Sequence, residues 1–412
     1  MYIFQEGEAG DNAQKLLCYD LHLYIMNIEF VQLRNFRNYE ELSFSPSPGI
    51  NVIYGKNGSG KTNIIEAIHY LSLGKSHRTN SDRDVVRNNE SFAFCSATVR
   101  KANTKIEISL NLSPNEKKVK NFSIAKKRIN RFHELIGQLQ CVIFSPEDLL
   151  VIKEGPQLRR KLIDMMISQI STEYFIALQE YNSALNQRNA ILREYKKTNV
   201  YDPNMIDIFD EQLAKYGTVI ITHRARFIDE LNRIASYYYE QISHNEHEKL
   251  SIQYASSLKI DSELSRAYKK LLLSNLQNDL FRGTTEKGIH REDLDILLNT
   301  KEIKVFGSQG QVRTAALCIK LAQVELFKKH SGEWPVLLLD DVMSELDVER
   351  RRKMMELTGK VQTFITCADE SDVDIQLADR KYYIYQENAN GKMKKFIEEC
   401  NSNISNNELI FE

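Results

Sequence analysis

The stretch 55-GKNGSGKT-62 decides how the rest of this 412-residue chain is read. It fits the glycine-rich phosphate loop G-x-x-x-x-G-K-[ST], and its flanks are those the motif requires. Before it, 50-INVIYG-55 is a short apolar run ending at glycine, which reads as a strand. After it, 62-TNIIEAIHYLSLG-74 spaces Ile64, Ile65, Ile68 and Leu71 as a helix and stops at Gly74. Such a loop lets the backbone N–H groups of Gly55, Lys56, Asn57, Gly58, Ser59 and Gly60 curl around phosphate oxygens at the positive end of the helix. Lys61 then reaches the β- and γ-phosphates, Thr62 is placed to bind Mg²⁺, and Asn63 stands beside the nucleotide. An incidental Gly-rich turn would not carry both flanks.

A second segment, 336-VLLLDDVMSELD-347, has four apolar residues running into Asp340, a buried strand with an acid at its exit. This is the Walker B pattern: Asp340 would hold Mg²⁺ through water, and Asp341 would orient or deprotonate the attacking water. Alone it could be a core strand followed by a solvated acidic loop, but its pairing with the phosphate loop favours the catalytic reading. A third segment, 306-FGSQGQVRTAALCIKLAQVELF-327, sets Ser308, Gly310 and Gln311 ahead of a helical run, roughly 25 residues before Walker B. It resembles the signature of the ABC-type ATPases. In that class the serine, the glycine amides and the helix N-terminus bind the γ-phosphate held by the opposite subunit.

Away from these motifs the chain falls into distinct parts. Residues 1–25 precede the first regular pattern, and Met26 is a natural start for the domain. From 26-MNIEFVQLRNFRNY-39 onward Ile28, Phe30 and Gln32 alternate with their neighbours, and 105-KIEISLNL-112, the turn-like 113-SPNE-116 and Val119, Phe122 and Ile124 predict an antiparallel hairpin. Between Pro156 and Gly283 the only further helix breakers are Pro203 and Gly217. There Ile206, Phe209, Leu213, Tyr216, Ile220, Phe227, Leu231, Ile234 and Tyr238 keep a helical spacing, with His223 at the missing step. Leu178, Tyr181, Leu185, Leu192 and Tyr195 keep it upstream, with Arg188 as the interruption. Two long helices joined by 198-TNVYDPN-204 would pack antiparallel. The division expected is an extension (1–25), the two parts of an α/β head (26–155 and 285–412) and an inserted helical, coiled-coil-like arm (156–284).

Lys and Arg number 55 against 56 Asp and Glu, so a nucleic-acid site would have to be a local patch. The most basic segment is 117-KKVKNFSIAKKRINRFH-133, where Lys126, Lys127 and Arg128 are the candidate DNA contacts. The competing reading is a solvated hairpin face whose Phe122 and Phe132 point into the core. Arg159, Arg160 and Lys161 form a second patch or brace the arm. The six cysteines contain no C-x-x-C pair, which suggests neither zinc nor a disulfide framework. No apolar run approaches the roughly 18 residues of a bilayer span. A cytoplasmic protein with reduced thiols and no membrane partner is expected.

The ordered set 35-NFRNY-39, 51-NVIYGKNGSGKTNIIEAIHYLSLGKSHRT-79, 144-FSPEDL-149, 155-GPQLRRKLID-164, 288-GIHREDL-294, 308-SQGQVRT-314 and 336-VLLLDDVMSELD-347 resembles the RecF family of bacterial recombination mediators, relatives of the ATPase heads of chromosome-cohesion and break-repair proteins. The resemblance covers nearly everything from Met26 onward. It implies an ABC-type P-loop ATPase head with an inserted arm, ATP and Mg²⁺ as cofactors, and an ATP-dependent homodimer. It further implies binding to single-stranded or duplex DNA at gaps and junctions, weak DNA-stimulated ATPase activity, and cooperation with RecR and RecO in loading recombinase during repair and replication restart. Carried over by position, Lys61 and Thr62 become nucleotide and Mg²⁺ contacts, Asp340 the Walker B acid, Ser308 the signature serine, and Asp347 a residue of the loop crossing the dimer.

Two departures from the wider ABC class stand out. Asp341 occupies the place of a glutamate, one methylene longer, which suits slow hydrolysis. The switch strand 363-TFITCAD-369 lacks the histidine common in transporters and leaves Thr366 there. Two other classes compete. A transporter's nucleotide-binding subunit has a much shorter insert than the roughly 280 residues between Lys61 and Asp340. A P-loop small-molecule kinase would not need Ser308, Gly310 and Gln311 ahead of Walker B.

Overall fold

The computed structural model describes residues 26–79, 81–102, 104–116, 119–146, 148–243, 247–343, 348–369, 378–389 and 392–400. Residues 1–25, Lys117, Lys118 and Asp347, which figure in the sequence reading, lie outside the described residues. The chain divides into two compact units, Met1–Pro146 with Phe327–Glu412, and Glu147–Leu326.

The first unit begins with strands β1 (Asn27–Phe36), β2 (Tyr39–Phe44) and β3 (Ile50–Tyr54), followed by helix α1 (Lys61–Leu73). Strands β4 (Ala93–Lys101), β5 (Thr104–Leu112), β6 (Lys120–Ile124), β7 (Lys127–Arg128) and β8 (Cys141–Phe144) come next. Two sheets result. One is antiparallel, in the order β2-β1-β4-β5-β6-β7, and contains the expected hairpin with Ile108 opposite Ile124 and Leu110 opposite Phe122.

The other sheet has the order β15-β14-β3-β13-β12-β8, where β12 is Val336–Asp340, β13 Thr363–Cys367, β14 Arg380–Ala389 and β15 Lys392–Cys400. Its strands from β14 to β8 are parallel, and β15 closes one edge antiparallel. Strands β8, β12 and β13 are buried along their whole length, as near-continuous apolar runs covered on both faces should be. Helix α1 touches strands of both sheets, so Ile64, Ile65, Ile68 and Leu71 share one core with Leu33 and Leu110 from one sheet and Leu338 and Phe364 from the other. The buried amide of Gln362 stitches this core: it accepts from Ile28 N (2.7 Å) and donates to the carbonyls of Ile28 (2.8 Å) and Ser47 (2.7 Å). Helix α9 (Val348–Thr358) connects β12 to β13.

The second unit is mainly helical: α2 (Asp148–Lys153), α3 (Pro156–Ile170), α4 (Thr172–Thr198), α5 (Pro203–Ile242) and α6 (Leu264–Arg282). Helix α4 ends where Asn199 turns left-handed (φ 56°), and α5 starts with Asp202 capping Asn204 N (2.9 Å) and Pro203 in the first turn. These signals reverse the chain. Glu173 meets His223 and Arg188 meets Asp210, so lower positions of α4 face higher positions of α5 and the pair is antiparallel. Forty residues make α5 about 60 Å long. Its buried stripe runs through Ile206, Leu213, Ile220, Phe227 and Leu231. Arg188 is itself fully buried on that packing surface.

Within the helical span lies strand β9 (Leu250–Ala255), whose Leu250 and Ile252 alternate inward. It pairs with β10 (Asp293–Leu298), which pairs with β11 (Lys301–Glu302). The short α7 (Ile303–Phe306) then leads into α8 (Gln309–Ser331). No helix among the described residues is long and apolar enough to cross a membrane.

Candidate nucleotide-binding site

The loops leaving β3, β12 and β13 emerge at the carboxyl ends of adjacent parallel strands, the place where open α/β sheets bind ligands. After β3 the loop turns at Gly55 (φ 146°), Gly58 (φ 77°) and Gly60 (φ 115°), all in the region that side chains avoid. Gly60 has a second reason: a Cβ there would come within 2.8 Å of Asn38 and of the Tyr39 hydroxyl. The loop feeds straight into α1, so its N–H groups gather at a helix start.

Lys61 is 4% exposed, and its ammonium donates to the carbonyls of Gly55 (2.8 Å) and Lys56 (3.4 Å). Among the described residues no carboxylate forms an ion pair with it. A buried cation met only by carbonyl dipoles leaves its charge uncompensated, which an anion would offset. Thr62 Oγ1 donates to Asp340 Oδ1 (2.9 Å), and Thr366 Oγ1 donates to the same oxygen (2.7 Å). Asp341 has a left-handed backbone (φ 52°), and its N–H is held by Thr366 Oγ1 (3.0 Å) and Thr366 O (3.3 Å). Lys61, Thr62, Asp340 and Asp341 are thus brought together from two motifs 278 residues apart at Thr62 and Asp340. Thr366 supports both acids.

Sequence reasoning missed the frame around the loop. Asn38 accepts from Asn63 Nδ2 (2.8 Å), and Arg78 donates to Asn63 Oδ1 (3.0 Å). Behind them Glu66, fully buried on α1, is gripped by Arg37 through two bonds (2.8 and 2.5 Å) and by Ser76 (2.5 Å). The segments 35-NFRNY-39 and 75-KSHRT-79 therefore clamp the first turns of α1. Glu66 is the one carboxylate in the helix and sits between Ile65 and Ala67, which was the available signal.

Ser308, Gly310 and Gln311, which the sequence proposes as the signature, belong to the second unit. Ser308 is exposed; its Oγ accepts from Gln311 N (3.2 Å), while Gln311 Oε1 accepts from Ser308 N (2.7 Å), a reciprocal cap at the start of α8. Gly310 O accepts from Thr314 Oγ1 (2.9 Å) in the first turn.

In the basic hairpin, Ala125 and Lys126 both have positive φ (49° and 64°) and form a two-residue turn that presents Lys126, Lys127 and Arg128 to solvent. Phe122 and Phe132 pack edge to face, with centroids 5.4 Å apart, on the core side. The aromatics serve packing; the cations face outward. Lys120, by contrast, is spent internally on Gly74 O (3.0 Å) and Asp82 (2.9 Å). Arg159 is buried in a bidentate pair with Asp293 (2.9 and 2.7 Å), and Arg160 donates to Glu292 O (2.6 Å), so both brace the second unit.

The family described as the RecF/RecN/SMC N terminal domain matches residues 27–392. The DNA replication and repair protein RecF of Clostridium botulinum (strain ATCC 19397 / Type A) is 39% identical over 377 residues, covering 90% of this chain and 100% of its own length. That of Clostridium perfringens (strain SM101 / Type A) is 41% identical over 348 residues, 84% of this chain and 94% of the relative. Among solved structures, the recombination mediator protein RecF-ATP in the RecFOR pathway superposes with a TM-score of 0.81 at 37% identity, covering 90% of this chain and 98% of that one. The Smc head domain of Pyrococcus furiosus, at 17% identity and a TM-score of 0.52, covers 91% of this chain and 96% of its own, and shares the fold.

Proposed function

We propose, from the fact that the chain belongs to the RecF family of DNA replication and repair proteins, that it is an ATP-dependent, DNA-binding recombination mediator acting at single-strand gaps. The observation that carries this reading is the buried ammonium of Lys61 beside the Thr62–Asp340 pair, at the carboxyl ends of β3 and β12. Lys61 and the N–H groups of residues 55–60 receive the phosphates of ATP. Thr62 and Asp340 present two oxygens 2.9 Å apart, a donor set that fits Mg²⁺ completed by water and phosphate. Among the described residues there is no cluster of three or more His, Cys, Asp or Glu that would hold a metal alone. When bound, Mg²⁺ neutralises charge building on the β- and γ-phosphates.

Asp341 orients or deprotonates the attacking water. Its short side chain, on a backbone pinned by Thr366, reaches less far than a glutamate would, and hydrolysis is weak and DNA-stimulated. Ser308, Gly310 and Gln311 complete the site of a second copy, so ATP drives homodimerisation. Lys126, Lys127 and Arg128 contact DNA phosphates without sequence preference. RecR and RecO are the partners in recombinase loading, in the cytoplasm. In this reading 26–155 with 285–412 act as the head, 156–284 as the arm, and 1–25 as an extension.

The test is complementation. Ser308→Arg should bind ATP but fail to dimerise, and Lys61→Ala should fail to bind; mixing them should rebuild one composite site per heterodimer and restore part of the ATPase activity. Normal ATP-dependent dimerisation by Ser308→Arg alone would refute the shared site.

A further inference from the structure

We propose that Glu248 is a positioning residue for the signature, fixing the side chain of Gln311 and tying it to the end of the long helix α5. This rests on the reading that Ser308, Gly310 and Gln311 receive the γ-phosphate of a second copy.

The Gln311 amide is held at both ends. Its Nε2 donates to Glu248 Oε1 (2.8 Å), and its Oε1 accepts from Ser308 N (2.7 Å). An amide facing a carboxylate has only one workable orientation, because the carboxylate accepts and cannot donate. Glu248 therefore keeps the oxygen of Gln311 turned toward Ser308. That oxygen occupies the Ser308 N–H, and Gln311 N in turn donates to Ser308 Oγ (3.2 Å). The serine hydroxyl accepts within its own turn, so its hydrogen stays able to donate outward to a phosphate oxygen.

The other oxygen of Glu248 accepts from Tyr239 Oη (2.9 Å) and Ser243 Oγ (3.1 Å), the last turn and C-cap of α5. One carboxylate thus joins the end of a 40-residue helix to the first turn of the signature helix. A movement of that helix end would be felt first by the Gln311 rotamer, and through it by Ser308.

Full-length Glu248→Ala, Glu248→Gln, Gln311→Ala and Ser308→Arg decide the matter, with three readouts: fluorescent-ATP affinity, the protein concentration at half dimerisation with ATP present, and the thermal midpoint. Loss of one charge-assisted hydrogen bond should raise the Glu248→Ala dimerisation midpoint at least about tenfold while ATP affinity stays within about twofold. Glu248→Gln should recover to within about threefold, since its oxygen can accept from Gln311 while the Tyr239 and Ser243 hydroxyls turn to accept its NH₂. Glu248→Ala should add nothing to Gln311→Ala, because the two act in series. An unshifted midpoint in Glu248→Ala, with Ser308→Arg failing to dimerise, overturns the inference and leaves the shared site standing. Additive effects, or equal losses in the alanine and glutamine variants that track a lowered thermal midpoint, also overturn it. Normal dimerisation by Ser308→Arg would instead remove the shared-site reading itself.

Discussion

Arg188→Met should loosen the helical arm far more than the loss of a surface ion pair would. The guanidinium and both of its partner carboxylates, Asp210 and Asp279, are fully buried. Arg188 Nε donates to Asp210 (2.6 Å), and Nη1 donates to Asp279 (2.7 Å) and Thr285 (2.8 Å). Methionine fills similar space but strands two buried carboxylates, a loss of about 3–5 kcal/mol. The two are not equivalent. Asp279 keeps Asn275 Nδ2 (2.7 Å) and Glu286 N (2.9 Å), whereas Asp210 Oδ2 already lacks a hydrogen-bond partner among the described residues.

Burial raises the Asp210 carboxyl above its ordinary value, against the opposing pull of Arg188. A raised acid stabilises the fold below its unfolded value and loses that contribution as pH climbs through the folded one. Removing Arg188 pushes it higher still, so the penalty should be largest at neutral pH and shrink as the solution is acidified. Hydrogen exchange of the amides in Thr172–Thr198 and Pro203–Ile242 reads this locally. At matched pH, those exchanging by sub-global opening should accelerate roughly a hundred- to several-thousandfold. Adding Asp210→Leu should recover most of the loss. Unchanged protection in Arg188→Met, or a double variant no better than the single one, would refute the argument.

Three further outcomes follow from the site. Lys61→Ala should weaken ATP binding by about a hundredfold or more in a fluorescent-nucleotide titration, since the lost ammonium faces phosphate charge directly; undiminished affinity would remove the phosphate-loop assignment. Asp341→Asn should bind ATP normally, hydrolyse it more slowly and give a longer-lived dimer, and a normal single-turnover rate would move the base elsewhere. Replacing Lys126, Lys127 and Arg128 with alanine should weaken DNA binding across sequences and flatten its salt slope by up to about three phosphate contacts, whereas an unchanged slope would leave the hairpin a solvated face.

What could be read in the chain beforehand was whatever is encoded locally. The phosphate loop, its strand and its helix lie within 25 consecutive residues, 50-INVIYGKNGSGKTNIIEAIHYLSLG-74, and spacing alone reports them. The antiparallel helix pair was legible for the same reason, from a repeating stripe and a capped, proline-bearing reversal. What escaped notice depends on partners far apart in sequence. Arg188 looked like an interruption because Asp210 and Asp279 lie 22 and 91 residues away. Glu248 carries no motif, and its link to Gln311 spans 63 residues. Strand β9 is six residues inside a helical stretch, and its partner β10 begins only at Asp293. In the basic hairpin the sequence left open whether the cations meet DNA or solvent, and the expectation that Phe122 and Phe132 point into the core could be settled only by their packing against each other there.

Thr366 shows how the missing histidine of the switch strand is to be understood. Its side chain is fully buried, and the hydroxyl is committed on both sides, donating to Asp340 Oδ1 (2.7 Å) and accepting from Asp341 N (3.0 Å). A hydroxyl so engaged sets the angle of the two acids and has no hydrogen left to sense a γ-phosphate. Thr366→Val keeps the volume and the β-branch that suit strand β13, but deletes both bonds. Asp340 keeps Thr62, and Asp341 N keeps the weaker Thr366 O at 3.3 Å, so the fold should survive. One lost bond to a charged carboxylate is worth about 1.5–3 kcal/mol. Single-turnover hydrolysis should therefore fall by about ten- to a hundredfold, with a higher Mg²⁺ requirement and unchanged ATP affinity in the absence of Mg²⁺. Thr366→Ser, which retains the hydroxyl, should restore most of the rate. If valine hydrolyses ATP normally but binds it poorly without Mg²⁺, Thr366 contacts the nucleotide itself, and the positioning role falls.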